Sequence, residues 1–148
     1  MQNNIVLNIN NLEEIKKIIP SEDFIGEHYD SAIESPLTDM IFILSTPRSG
    51  STFLSELIYK NNICIPHEYF QHYQYIQLMG SRWSCINEKG VLDKEKYITN
   101  LVKYRTSNKG WLGINLHGEH LEIFSKLEKL LPKVTFHFIH VKRKNKLL

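Results

Sequence analysis

The apolar positions of this chain change period from segment to segment. Leu12, Ile15, Ile18 and Ile19 recur at helical spacing, and Pro20 ends the run. Ser21 to Asp39 is polar and acidic with few apolar anchors and reads as an irregular approach segment. Met40 to Leu44 is a short continuous apolar run, the pattern of a buried strand. Phe53, Leu54, Leu57 and Ile58 then fall on one face of a helix that Asn61 and Asn62 can stop. Ile63 to Ile65 is a brief apolar run halted by Pro66, Glu68 to Met79 is aromatic-rich and helical in part, and Ser81 to Lys89 reads as a loop. Asp93 opens a helix that reaches about Arg105. Trp111 to Leu116, with Leu112, Ile114 and Leu116 alternating, predicts a second strand. Leu121, Phe124, Leu127 and Leu131 mark a further helix ended by Pro132, and Val134 to Val141 predicts a third strand.

Strands that alternate with helical segments predict an α/β fold, a parallel sheet covered by helices. In such sheets ligands bind outside the carboxyl ends of the strands. After the first predicted strand comes "STPRSGST", after the second His117, and after the third Lys142 and Arg143. All three polar clusters fall at one edge of the predicted sheet, which assembles a single anion site there.

The loop has the chemistry for such a site. Backbone N–H groups where a loop opens a helix point outward without partners. Gly50 lets the backbone approach an anion, Ser49, Ser51 and Thr52 add hydroxyls, and Arg48 brings a planar charged fork. The nucleoside-triphosphatase loop instead reads G-x-x-x-x-G-K-[ST]. Here its first Gly is absent and no Lys precedes the Ser, which disfavours ATP or GTP hydrolysis and a phosphotransferase of that type.

Charge sharpens this picture. The net charge of the 148 residues is +2, but residues 1–39 hold eight acids and two bases, and residues 40–148 hold eight acids and sixteen bases. The loop opens the basic part, which suits an anionic ligand. No nucleic-acid motif accompanies the basic residues, so nucleic acid is not an expected partner. Cys64 and Cys85 make no metal-ligand pattern and read as reduced thiols. No secretory signal and no apolar run of the ~20 residues that a membrane helix needs is visible, so a cytoplasmic protein is expected.

"STPRSGSTFLSEL" followed by "PHEYFQ" resembles the bacterial trehalose 2-sulfotransferase family, carbohydrate sulfotransferases of the wider sulfotransferase superfamily. "GINLH", "FIHVKRKNKLL" and the acidic "HYDSAIESP" before the loop are similar to further segments of that family, so the resemblance runs from about His28 to the C-terminus. It implies a P-loop-like three-layer α/β fold. The implied activity is transfer of a sulfuryl group from 3′-phosphoadenosine-5′-phosphosulfate to a carbohydrate or glycolipid hydroxyl, with no metal. Arg48, Ser49, Gly50, Ser51 and Thr52 would hold the 5′-phosphosulfate, and Arg143 would contact the 3′-phosphate. Division of the chain into an acidic approach segment, 1–39, and the N-terminal part of a sulfotransferase domain, 40–148, follows.

The acceptor hydroxyl needs a base. Glu68 in "HEYF" is the first candidate and reads equally as a helix-start carboxylate favoured by the helix dipole. His117 is the second, at the end of the second strand, where a surface or packing role is the alternative. His67 and His140 are weaker, His140 as a core-facing strand end, and Tyr69 and Phe70 read as core ahead of acceptor pocket. Asn115 stands where the family usually has a lysine, and Gly118 where an aromatic is usual. Family members also continue past the basic cluster into a helix with a Q-A-x-S segment, whereas this sequence runs only to Leu148. The expectation is a fold incomplete at the C-terminus: a gene fragment, a split protein with a complementing C-terminal half, or a homodimeric or monomeric domain reduced to nucleotide binding or interaction without catalysis.

Overall fold

In the structure, a computed structural model that describes residues 4–19 and 23–144, the apolar run around Met40 forms β1 (Asp39–Ser45). It lies between β2 (Trp111–His117) and β3 (Thr135–His140), both parallel to it. Each strand ends within one residue of its predicted bounds. The register sets Phe42 beside Ile114 and Phe138, and Ile43 beside Asn115 and Ile139. Successive side chains of a strand point to opposite faces. Met40, Phe42, Leu112, Ile114 and Leu116 therefore enter one core with α3 (Tyr75–Arg82), α4 (Lys94–Arg105) and α5 (Leu121–Leu127). Ile41 and Ile43 enter a smaller one with Cys64 and Ile58 of α2 (Ser51–Lys60). The result is an α/β fold with a three-stranded parallel sheet and helices on both faces.

The N-terminal segment shares this core. Ile5 and Leu7 are buried in it, held by bonds from Leu7 N–H to Gly90 O and from Leu92 N–H to Ile5 O, 2.8 and 2.9 Å. Helix α1 (Leu12–Ile18) packs Ile15 against Leu78 of α3; Pro20, its expected stop, lies outside the described residues. Residues 23–30 are pinned from below by Arg105, whose fully buried guanidinium donates to the carbonyls of Phe24 and Gly26 and pairs with Asp30. Asp30 also accepts from Arg82 and from Trp83 Nε1.

Several expectations change. Helix α2 turns Ser51, Ser55 and Ile58 inward and leaves Phe53 and Leu57 exposed. Of the expected face, Leu54 and Ile58 do pack inward, beside the two serines, and Phe53 and Leu57 do not. Leu121 is likewise exposed, and Ile123 takes its place in the core. The expected loop at Ser81 begins later, because α3 runs to Arg82 and Ile86 bridges Leu92. His140 faces out rather than into the core. Tyr69 and Phe70 are fully buried, and Cys64 and Cys85 are free, buried thiols.

Strand β3 stands apart. It is a sheet edge, and Phe136, Phe138 and Ile139 are 43%, 64% and 37% exposed, so neither of its faces is fully covered. Among the described residues no helix is long and apolar enough to cross a membrane.

Candidate active site

The loop begins where β1 ends. Ser49 N–H bonds to Thr46 O at 3.2 Å and closes a turn. Arg48 and Gly50 both have left-handed φ, 60° and 96°, on either side of Ser49. Alternating handedness of this kind turns consecutive N–H groups to one side and makes an anion-binding concavity. Glycine takes such a φ without steric cost. Gly50 is also the cap of α2 and offers no side-chain bond to the first turn, so the N–H groups there stay open to a ligand. Among the described residues the buried Oγ atoms of Ser49 and Ser55 have no hydrogen-bond partner. Arg48 and Thr52 are exposed beside them.

A second chain segment reaches the same edge. Residues 63–67 run along the free side of β2, with Asn115 N–H donating to His67 O at 2.9 Å. Gly113 sets how close they come: a Cβ there would lie 2.7 Å from Pro66 Cγ and 2.9 Å from Cys64 Sγ. His67 is buried, and its Nδ1 accepts Glu68 N–H at 2.8 Å. That fixes the tautomer, so Nε2–H donates to Asp23 Oδ1 at 2.7 Å. Tyr75 O–H donates to Asp23 Oδ2 at 2.8 Å. Burial works against the charge on Asp23, but the bonds from His67 and Tyr75 outweigh it and hold the carboxyl below its usual range.

Glu68 then meets the end of β2. Its Oε1 is 3.3 Å from His117 Nδ1 and 3.7 Å from His120 Nε2. His117 Nε2 lies 3.5 Å from Ser51 Oγ in the first turn of α2. The two imidazoles stack with centroids 5.0 Å apart, and His117 N–H donates to His120 Nδ1 at 3.1 Å. Burial raises the Glu68 carboxyl above the usual range, with Asp23 and Glu119 adding to the effect and His117 and His67 opposing it. Burial, then the neighbouring His117, lowers His120 to about 4, so this imidazole is neutral near pH 7.

A cleft of about 360 Å³ opens against this cluster, lined by Asp23, Phe24, Thr52, Glu56, Glu68 and Asn115 among others. Three carboxylates make it unsuited to an anion. Their acceptor oxygens, with aromatic Phe24 and Tyr75, suit a neutral polyhydroxylated molecule. Asn115 is buried and accepts from Ser45 Oγ at 3.1 Å.

Glu68, His117 and His120 place one donor atom each within 4.8 Å of one another, the spacing of a metal centre. His120 does not suit that role. Its Nδ1 already accepts a backbone N–H, so the neutral ring carries its proton on Nε2, the atom that faces the other two.

The site residues expected from the sequence divide into two groups. Arg48, Ser49, Gly50, Ser51 and Thr52 sit at the carboxyl end of β1, and Glu68 and His117 meet each other beside Ser51. Arg143 follows β3 at the same edge and is exposed; among the described residues no hydrogen bond or ion pair joins it to the loop. His67 positions Glu68 and Asp23. Sequence reasoning missed Asp23 and His120. The i, i+3 spacing of "HGEH" was a signal for His120; Asp23, forty-four residues before His67, gave none. Compared with known proteins, the chain matches no family model, no curated protein and no solved structure.

Proposed function

We propose that this chain carries the donor loop and base of a P-loop-like sulfotransferase and transfers a sulfuryl group from 3′-phosphoadenosine-5′-phosphosulfate to a carbohydrate or glycolipid hydroxyl. One observation carries the reading. Glu68 and His117, each a candidate base on separate grounds, come within 3.3 Å of each other, and His117 comes within 3.5 Å of Ser51 at the anion loop. The similarity of "TPRSGST" and "PHEYF" to carbohydrate sulfotransferase motifs supports the same assignment.

The chemistry divides between two groups of residues. N–H groups at the start of α2 and the Arg48 guanidinium stabilise charge on the 5′-phosphosulfate as the bridging S–O bond breaks. The acceptor hydroxyl enters from the cleft and its oxygen attacks sulfur. Glu68 takes its proton, and the bisphosphate leaves on the loop side. A carboxyl raised by burial is a stronger base once ionised, and His117 Nδ1 and the Nε2–H of His120 face the oxygen that carries the charge. Arg143 at the end of β3 is the residue to meet the 3′-phosphate. Asn115 favours a second reading, nucleotide binding without transfer, because it leaves β2 without a cation at the donor edge.

Calorimetry with adenosine 3′,5′-bisphosphate tests the proposal. The expected result is 1:1 binding by the wild type, at least about tenfold weaker in Arg48→Ala, a loss of about 1.4 kcal/mol. Absence of binding, or equal binding by the variant, overturns it. Sulfuryl transfer to neutral sugars then separates the two readings, since the second predicts binding with no product.

A further inference from the structure

We propose that His120 is a positioning residue of this site: it holds His117 through a backbone bond and turns its own imidazole N–H toward Glu68 Oε1, and so sets the proton affinity of that carboxyl. The catalytic consequence rests on Glu68 acting as the base; the structural claim stands apart from it.

The argument begins with the fully buried ring of His120. A buried imidazole places its two nitrogens where the backbone dictates. Nδ1 accepts His117 N–H at 3.1 Å and closes the short turn Gly118–His120 that ends β2. The proton of the neutral ring is therefore on Nε2, and that N–H points between Glu68 Oε1 at 3.7 Å and Glu119 Oε1 at 3.5 Å. Among the described residues this buried Nε2 has no hydrogen-bond partner at normal length. His117 Nδ1 approaches the same Glu68 oxygen at 3.3 Å. An N–H turned toward a carboxylate favours its ionised form and lowers its proton affinity. His120 thus opposes the desolvation of Glu68 without carrying a charge of its own.

The other groups that face Glu68 are accounted for. From its own segment His67 acts on it, from the N-terminal side Asp23, from the end of β2 His117 and from beyond it Glu119. From the aromatic stretch Tyr73 and Tyr75 are close enough to feel its charge. Asp23 and Glu119 raise its proton affinity and the histidines lower it. Among the described residues, the imidazoles of His117 and His120 are the ones that approach its Oε1, at 3.3 and 3.7 Å.

Two substitutions separate the functions of the ring. His120→Asn keeps an acceptor where Nδ1 was and loses the distal N–H. His120→Gln keeps an amide N–H at the distal position and loses the near acceptor. Carbon-13 titration of the glutamate carboxyls, with Glu68 identified by the signal missing in Glu68→Gln, reads the result in the absence of donor and acceptor. His120→Asn is expected to titrate at Glu68 about one unit above the wild type, tenfold in proton affinity, and His120→Gln close to it. An unchanged Glu68 in His120→Asn, or equal shifts in both variants, overturns the proposal. A nitrogen-15 spectrum of the wild-type rings tests it without a variant: His120 is expected as the Nε2–H tautomer from pH 5 to 8, and the Nδ1–H tautomer overturns it. If the bisphosphate fails to bind while these titrations come out as stated, the sulfuryl-transfer reading falls and the role of His120 stands.

Discussion

Replacing Arg105 with methionine tests whether the cleft depends on the support beneath it. Arg105 is fully buried, its charge is paired with Asp30 at 3.1 Å, and its guanidinium donates to the carbonyls of Phe24 and Gly26. Methionine refills most of the volume but takes the donor from the Phe24 carbonyl, at about 1–3 kcal/mol, whereas Gly26 O still accepts Tyr29 N–H at 3.1 Å. Breaking a buried ion pair from one side costs about 3–5 kcal/mol when the remaining charge is abandoned. Here it is not abandoned, because Arg82 and Trp83 Nε1 still donate to Asp30. The lower end applies, a loss of about 3 kcal/mol, and at about 2–4 °C per kcal/mol for a chain of this size the melting temperature falls by about 6–12 °C. Arg105→Lys does not rescue it, since one ammonium cannot span two carbonyls and a carboxylate as the fork does. Urea unfolding followed by circular dichroism measures the difference. A loss under about 1 kcal/mol for Arg105→Met, or full rescue by lysine, refutes the reasoning that this network fixes residues 23–30 and, through them, Asp23.

Glu68→Gln should trade activity for stability. Burial, first of its causes, raises this carboxyl, so the folded state keeps the proton longer and stability falls as pH rises from the unfolded value, about 4.3, through the folded one. The amide removes that fall, and the variant is expected to unfold at higher urea than the wild type at pH 8 while losing transfer; lower stability there contradicts the assignment. For Asp23 the sign reverses. Burial opposes its charge, but the His67 and Tyr75 bonds win and lower the carboxyl, so its contribution is present above about pH 4 and lost as pH falls through the folded value. Asp23→Asn should flatten that acid limb of the stability curve. Gly113→Ala places a methyl 2.7 Å from Pro66, should cost about 1–3 kcal/mol by overpacking, and should slow transfer by moving His67 and Glu68; a neutral effect on both unfolding and rate excludes the close approach.

The sheet was legible because its signals are local. Each strand is a short segment rich in apolar residues, continuous in Met40–Leu44 and alternating in Trp111–Leu116, and parallel order then brings three polar strand ends to one edge. What local pattern could not supply is which face of an amphipathic helix wins. Helix α2 carries apolar Phe53 and Leu57 on one side and Ser51 and Ser55 on another, and the serine side, with Ile58, is the one that packs inward. The loop and Glu68 were legible as chemistry, since an uncapped helix start and a carboxyl after a short apolar run are local features. The partners of Glu68 were not. His67 reaches Asp23 and His117 reaches Ser51 across sixty-six residues, and no periodicity encodes such distances. Gly113 shows the same limit: in sequence it is a weak point in a strand, and in the fold it is the reason another segment can pass.

The open side of β3 has a consequence for how the chain behaves in concentrated solution. Its outer backbone groups can pair with any extended segment, and Phe136, Phe138 and Ile139 add adhesive surface on both sides. What restrains templated growth is charge, since Lys133 precedes the strand and Lys142, Arg143 and Lys144 follow it. Like charges at both ends repel a second copy laid antiparallel and act as gatekeepers against stacking. That protection is purely coulombic, and salt shortens its reach to about 3 Å at 1 M. Turbidity should therefore rise with ionic strength, opposite to the salting-in of a protein limited by charge attraction, and Phe138→Lys should abolish the rise.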